Sequence, residues 1–283
     1  MSFDDDETRC NETIDEIMIH NGRTINVATY CIERKNPKGN ESLRYVLEVE
    51  NCCPKCGKAI MNFSADKKKL YEIAHIFPNR PTEEEKKILA DVEVLGDDSE
   101  CFENKIALCR DCHKEYDEHK TVEKYNDMLN LKKKLLKSSN AKTDLSHNMI
   151  ENELFDVVKK ISSLATDNDA LSKCEPLSYN VMSIKEKIPF NNLLCNDVEG
   201  LVSSYFLYIK DLFKSLDNAS FEAIASSFKH SYCQAVRQQL DQEDIFETLV
   251  QWVKKKTQCA NSVARIIVSY FIQNCDVYGK LSR

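Results

Sequence analysis

The chain has 283 residues, enough for two domains with a core each, and its 42% hydrophobic and 30% charged content is that of a globular protein. A formal net charge of −7 argues against a generic nucleic-acid coat protein, and no apolar run approaches the roughly twenty residues of a membrane helix, so no membrane role is expected. The acidic start Met1-Ser2-Phe3-Asp4-Asp5-Asp6-Glu7 is the opposite of a basic signal-peptide lead, so a cytoplasmic location is expected.

Residues 1–50 read as a small β-containing element. Ile25, Val27, Thr29, Tyr30 and Ile32 follow a turn at Asn21-Gly22, and the alternation from Leu43 to Val49 predicts a further strand. Cys53-Pro54-Lys55-Cys56 and Cys109-Arg110-Asp111-Cys112 are two Cys-x-x-Cys pairs. Each spacing lets two thiolates face one point, and Cys53, Cys56, Cys109 and Cys112 together meet the tetrahedral, sulfur-rich preference of a structural Zn²⁺. The remaining cysteines of the thirteen scatter without a framework, as buried thiols do in a reducing compartment, so disulfides are not expected.

Leu70 to Phe77 reads as an extended segment ended by Pro78, with His75 near its end, and Thr82 to Leu95 reads as a helix with Thr82 as its cap. Cys109 to His119 reads as a knuckle running into a helix, on which His113 and Asp117, four apart, share a face. Thr121 to Leu136 continues as a helix. Between Cys52 and Lys137 there are 17 basic and 17 acidic residues, so the negative excess lies in the flanks. Lys67-Lys68-Lys69 and Lys132-Lys133-Lys134 are candidate phosphate patches, each of which reads first as a solvated face.

A zinc knuckle has no need of His75, Asn104 or His113. In that order, with Asn104 nine residues before His113, they resemble the HNH nuclease family. The resemblance implies a ββα-metal module over 51–137: His75 as general base, Asn104 holding its ring or steadying the turn, and His113 binding a catalytic Mg²⁺ or Mn²⁺. Many family members place Asp or His immediately before the catalytic histidine, where this chain has Ala74. Asp117 is the replacement ligand expected, and Glu72 a weaker one because a strand's period of two puts it opposite His75.

The polar stretch from Lys137 to Asp144 predicts a linker over 138–150, followed by an all-α domain over 151–283 with stripes such as Val198, Leu201, Val202, Tyr205 and Phe206 at helical spacing. Tyr179 to Asn191 and the ending Tyr270 to Tyr278 resemble the C-terminal domains of ABC-three-component systems. That resemblance implies a docking and assembly role with an SMC-like ATPase and a small middle component, and leaves a homo-oligomer open. Tyr270, Phe271 and Tyr278 read either as bundle core or as an anchor for a partner. The fold class expected is therefore α+β, a zinc-stapled HNH module followed by a helical bundle. The function the resemblances imply is a metal-dependent DNA endonuclease, the effector of a bacterial defence complex against phage or plasmid. The rival reading is a non-catalytic zinc-stapled adaptor that binds DNA or protein.

Overall fold

The computed structural model describes residues 17–20, 22–62, 69–176 and 191–274, and its chain divides into two compact units, residues 1–136 and 137–283. In the first unit β1 (Ile17–His20) and β2 (Arg23–Asn26) form an antiparallel hairpin, with Met18 opposite Ile25 and Gly22 turning the chain at φ +73°. The β character stops there. Val27–Tyr30 is a single helical turn, α1, whose cap Asn26 accepts from Ala28 N at 2.7 Å. Leu43 to Val49, expected as a strand, lies instead in helix α2 (Asn40–Glu48) and its C-cap. Tyr45, Val46 and Val49 bury one helical face, while Leu43 and Leu47, which completed the apparent alternation, stay exposed.

β3 (Tyr71–His75) and β4 (Lys105–Cys109) pair antiparallel, Tyr71 opposite Cys109 and His75 opposite Lys105. α4 (Arg110–Glu118) leaves β4 directly, with Cys109 as its N-cap, and completes a ββα unit. Between the strands, α3 (Glu83–Ile88) starts at the expected cap: Thr82 Oγ1 accepts from Glu85 N, and Thr82 N donates to Glu85 Oε2. The helix is shorter than the expected run to Leu95. Asp91 turns the backbone at φ +58°, after which Val92 O accepts from Ile19 N and Val94 N donates to Ile19 O, alongside β1. Buried Tyr30, Tyr116 and Tyr125 donate to the carbonyls of Leu95, Ile76 and Glu93, so these core hydroxyls are satisfied.

Lys132 is not a phosphate contact. Its side chain is wholly buried, with Nζ donating to both carboxylate oxygens of Glu48 at 2.7 Å and lying 3.9 Å from the Phe102 ring centroid. Lys133 pairs with Glu93, and Lys67 and Lys68 lie outside the described residues.

α5 (Val122–Ser146) covers residues 138–146 of the stretch expected as a linker over 138–150. Composition hid this, since Lys137 to Thr143 is polar, yet Ala141 and Leu145, one turn apart, are buried. The second unit continues as α6 (Asn152–Ser163), α7 (Asn168–Ser172), α8 (Asn192–Lys214), α9 (Asn218–Arg237), α10 (Gln242–Thr257) and α11 (Asn261–Asn274). Asn191, Asp217 and Asp241 cap three of these through their side chains. Phe213, Phe228, Tyr270 and Phe271 form an aromatic core, with Phe228 and Phe271 ring centroids 4.0 Å apart. Tyr270 and Phe271 are thus core residues, whereas Tyr278 and 179–190 lie outside the described residues. Among the described residues no helix is long and apolar enough to cross a membrane.

Candidate active site and zinc centre

The two knuckles bring the sulfurs of Cys53, Cys56, Cys109 and Cys112 within 4.8 Å of one another. Cys53 N donates to Lys58 O and Gly57 N to Cys53 O, both at 2.8 Å, and Gly57 makes the turn at φ +72°. The Cys56 and Cys109 sulfurs are 3.6 Å apart, close to the tetrahedral edge of about 3.8 Å that Zn–S bonds of about 2.3 Å require. Burial and the adjoining sulfurs push the Cys112 thiol well above its usual range. Burial also raises Cys53, but hydrogen bonds from the backbone of Cys109, Lys55 and Cys56 bring it down to about 7. Sulfurs this close are stable as thiolates only around a cation, so the set fits a structural zinc.

His75 closes β3, and its Nε2 lies 2.7 Å from Oε1 of Glu100, a carboxylate 1% exposed. The second oxygen of Glu100 accepts from Lys105 Nζ and Lys35 N, both at 2.8 Å. Burial opposes the charge, but these donors hold the Glu100 carboxyl below its ordinary value, so it is ionised and can only accept. Nε2 must then carry the ring proton, which leaves the lone pair on Nδ1. Burial, helped by Lys105 and Arg34, keeps the His75 imidazole below its ordinary value against the upward pull of Glu100. The ring is neutral near pH 7.

Asn104 is fully buried, and its side-chain bonds go to backbone. Oδ1 accepts from Phe77 N at 2.9 Å, while Nδ2 donates to Phe77 O at 3.0 Å and to Ser99 O at 2.9 Å. Of its two expected roles, this geometry is that of steadying the turn. The group on the His75 ring is Glu100.

His113 stands on α4 between two carboxylates: Nε2 is 3.1 Å from Asp117 Oδ2, and Nδ1 is 2.6 Å from Glu72 Oε2. The Asp117 bond raises the ring above its ordinary value, with burial opposing and Glu72 adding to the rise. Glu72, although it alternates with His75 along β3, does reach the site through His113. The spacing of Nε2 and Oδ2 matches two neighbouring ligands of an octahedral cation with bonds of about 2.1 Å, which stand about 3 Å apart.

His75, His113 and Arg34 are shared by two adjoining pockets. One, of about 280 Å³, adds Lys35, Lys69, Glu72 and Lys105; the other, of about 390 Å³, adds Asn79, Arg80, Asp117 and Lys120. Asn79 donates to Ile32 O and Ser99 Oγ, and its Oδ1 is buried without a hydrogen-bond partner. The structure thus brings His75, His113 and Asp117 into one groove and sets Asn104 beneath it. The groove also contains Arg34 and Arg80, with Glu100 buried behind His75, and sequence reasoning missed all three. All three come from irregular segments, where no periodicity signals a side chain's direction.

Residues 53–122 match the family model of HNH endonucleases. Residues 141–278 match that of C-terminal domain 11 of the ABC-three component (ABC-3C) systems. The chain therefore joins a nuclease-type region to the C-terminal domain type of a multicomponent system. No curated protein and no solved structure matches it.

Proposed function

We propose that the protein is a metal-dependent DNA endonuclease with His75 as general base, and that it is the effector of an ABC-three-component complex acting against phage or plasmid DNA. The observation that carries this reading is His75, fixed by ionised Glu100 with its lone pair on Nδ1, lining the same groove as the His113–Asp117 pair. In the reaction Nδ1 takes a proton from water as the water oxygen bonds to phosphorus, and Glu100 stabilises the imidazolium that forms. Lys105 offsets part of the Glu100 charge, so the ring returns to neutrality afterwards. Arg34, Lys69 and Arg80 hold the flanking phosphates.

A Mg²⁺ or Mn²⁺ ion held by His113 and Asp117 would neutralise charge on the phosphorane and on the departing 3′ oxygen. Four thiolates leave zinc no open coordination position, so its part is structural. The C-terminal domain docks this nuclease onto an SMC-like ATPase and a small middle component.

Plasmid cleavage in Mg²⁺ or Mn²⁺ tests the reading. His75→Ala is expected to lower the rate by roughly 10² to 10⁴, the range of general-base catalysis, with zinc content and melting unchanged. Undiminished cleavage by His75→Ala would refute the assignment. One zinc per chain and no cleavage with either ion, even in the assembled complex, would favour the non-catalytic adaptor.

A further inference from the structure

The second unit holds a pocket that its aromatic core leaves over. Thr248, Gln251, Trp252 and Lys255 share one face of α10, and together with Lys256 they meet Lys142, Leu145 and Ser146 of α5 around a cavity of about 290 Å³. Trp252 is 4% exposed and sets its ring edge-on to Phe228, with centroids 5.2 Å apart. Its Nε1 is buried without a hydrogen-bond partner, and a buried donor in that condition is uncommon. Three of the eight lining residues are lysines and none is acidic, a local positive excess in a chain of net charge −7. Lys256 Nζ donates to Ser146 O at 2.7 Å, which fixes one of these charges at the C-terminal end of α5.

An apolar wall and a cationic rim call for a carboxylate next to an apolar group. We propose that this pocket receives an acidic peptide segment of a partner protein, with a carboxylate toward Lys142, Lys255 and Lys256 and an apolar side chain against Leu145 and Trp252. This deepens the docking role proposed above by naming the contact, and it rests on that role. A nucleic acid fits less well, because a base needs an open ring face for stacking and Trp252 is almost wholly covered.

Trp252 is the only tryptophan in the chain, so tryptophan emission, excited selectively over the eleven tyrosines, reports on this pocket alone. The probes are an acetylated hexapeptide of alternating leucine and glutamate, the same peptide with glutamine for glutamate, and an oligothymidylate. The full chain is expected to give a saturable emission change with the acidic peptide only. Joint Lys142→Glu and Lys255→Glu changes should weaken that binding roughly tenfold or more, while the corresponding Arg variants retain it. Circular dichroism and melting establish that each variant is folded.

The proposal fails if folded protein does not respond to the acidic peptide, or if the charge-reversed protein responds equally. It also fails if the neutral peptide or the oligothymidylate gives the same change, or if emission varies with protein concentration alone, which would mean that a second copy fills the pocket. Co-purification separates this inference from the reading beneath it. If deleting the C-terminal domain releases the ATPase and middle component but the charge-reversed chain still retains them, docking stands and this pocket is not the contact. If deletion releases neither, the docking role itself falls. Plasmid cleavage by the isolated chain should be unchanged by the pocket variants.

Discussion

At the His75 ring, burial and the Lys105 charge favour the neutral imidazole, Glu100 favours the imidazolium, and neutrality prevails. A base must be unprotonated to act, so cleavage should be fully developed above the folded pKa and lost as pH falls through it. That pKa lies below the ordinary 6.5, so more than half the maximal rate should survive at pH 6.5. A pH–rate profile whose acid limb is centred above 6.5 would contradict this. Glu100→Gln removes the group that raises the ring, so the limb should move lower still. The rate should also drop by roughly tenfold or more, for want of a charge facing the imidazolium. Of these two partners the sequence singles out only the histidine. Glu100 sits in a loop, and its burial follows from Lys105 and Lys35 N closing over it, which no local pattern encodes.

Among the elements, the Cys-x-x-Cys pairs were readable because metal chemistry fixes their spacing, and β3 and α4 because each is short and strongly patterned. Helix α2 was not readable, because its apolar residues fit two periods and only the core chooses between them. Cys112→Ser should strip zinc and unfold the first unit, since beyond the metal the first knuckle is tied to α4 mainly by the solvent-accessible Lys55–Glu115 and Lys58–Asp111 pairs, which contribute little. Retention of full zinc content with an unchanged melting curve would refute the structural-zinc assignment. The buried Lys132–Glu48 pair ties α2 to α5. Lys132→Met should cost about 3–5 kcal/mol by stranding the Glu48 charge, whereas the joint Lys132→Met, Glu48→Leu change should recover most of it. Denaturant titration of the two variants measures the difference, and equal losses would show that geometry rather than stranded charge sets the cost.

For the molecule as a whole, each unit buries its own core, and residues of the first core and of the groove all precede residue 137. A chain ending near Asn140 should therefore bind zinc and keep some metal-dependent nicking, but should no longer co-purify with the ATPase or middle component. Loss of zinc on truncation, measured by metal analysis, would show that the units do not fold separately. The change of pattern along the chain predicts two domains, and the structure divides into two compact units at residue 137, within α5, because the polar run that looks like a linker is the end of that helix. The order of the units also has a consequence in time. A ribosome moving at about 5–20 residues per second needs roughly 7 to 30 s to add residues 137–283 after the first unit is made. Throughout that interval the nascent protein carries the residues of the groove and none of the second unit, so whatever the second unit contributes is added to a first unit already made.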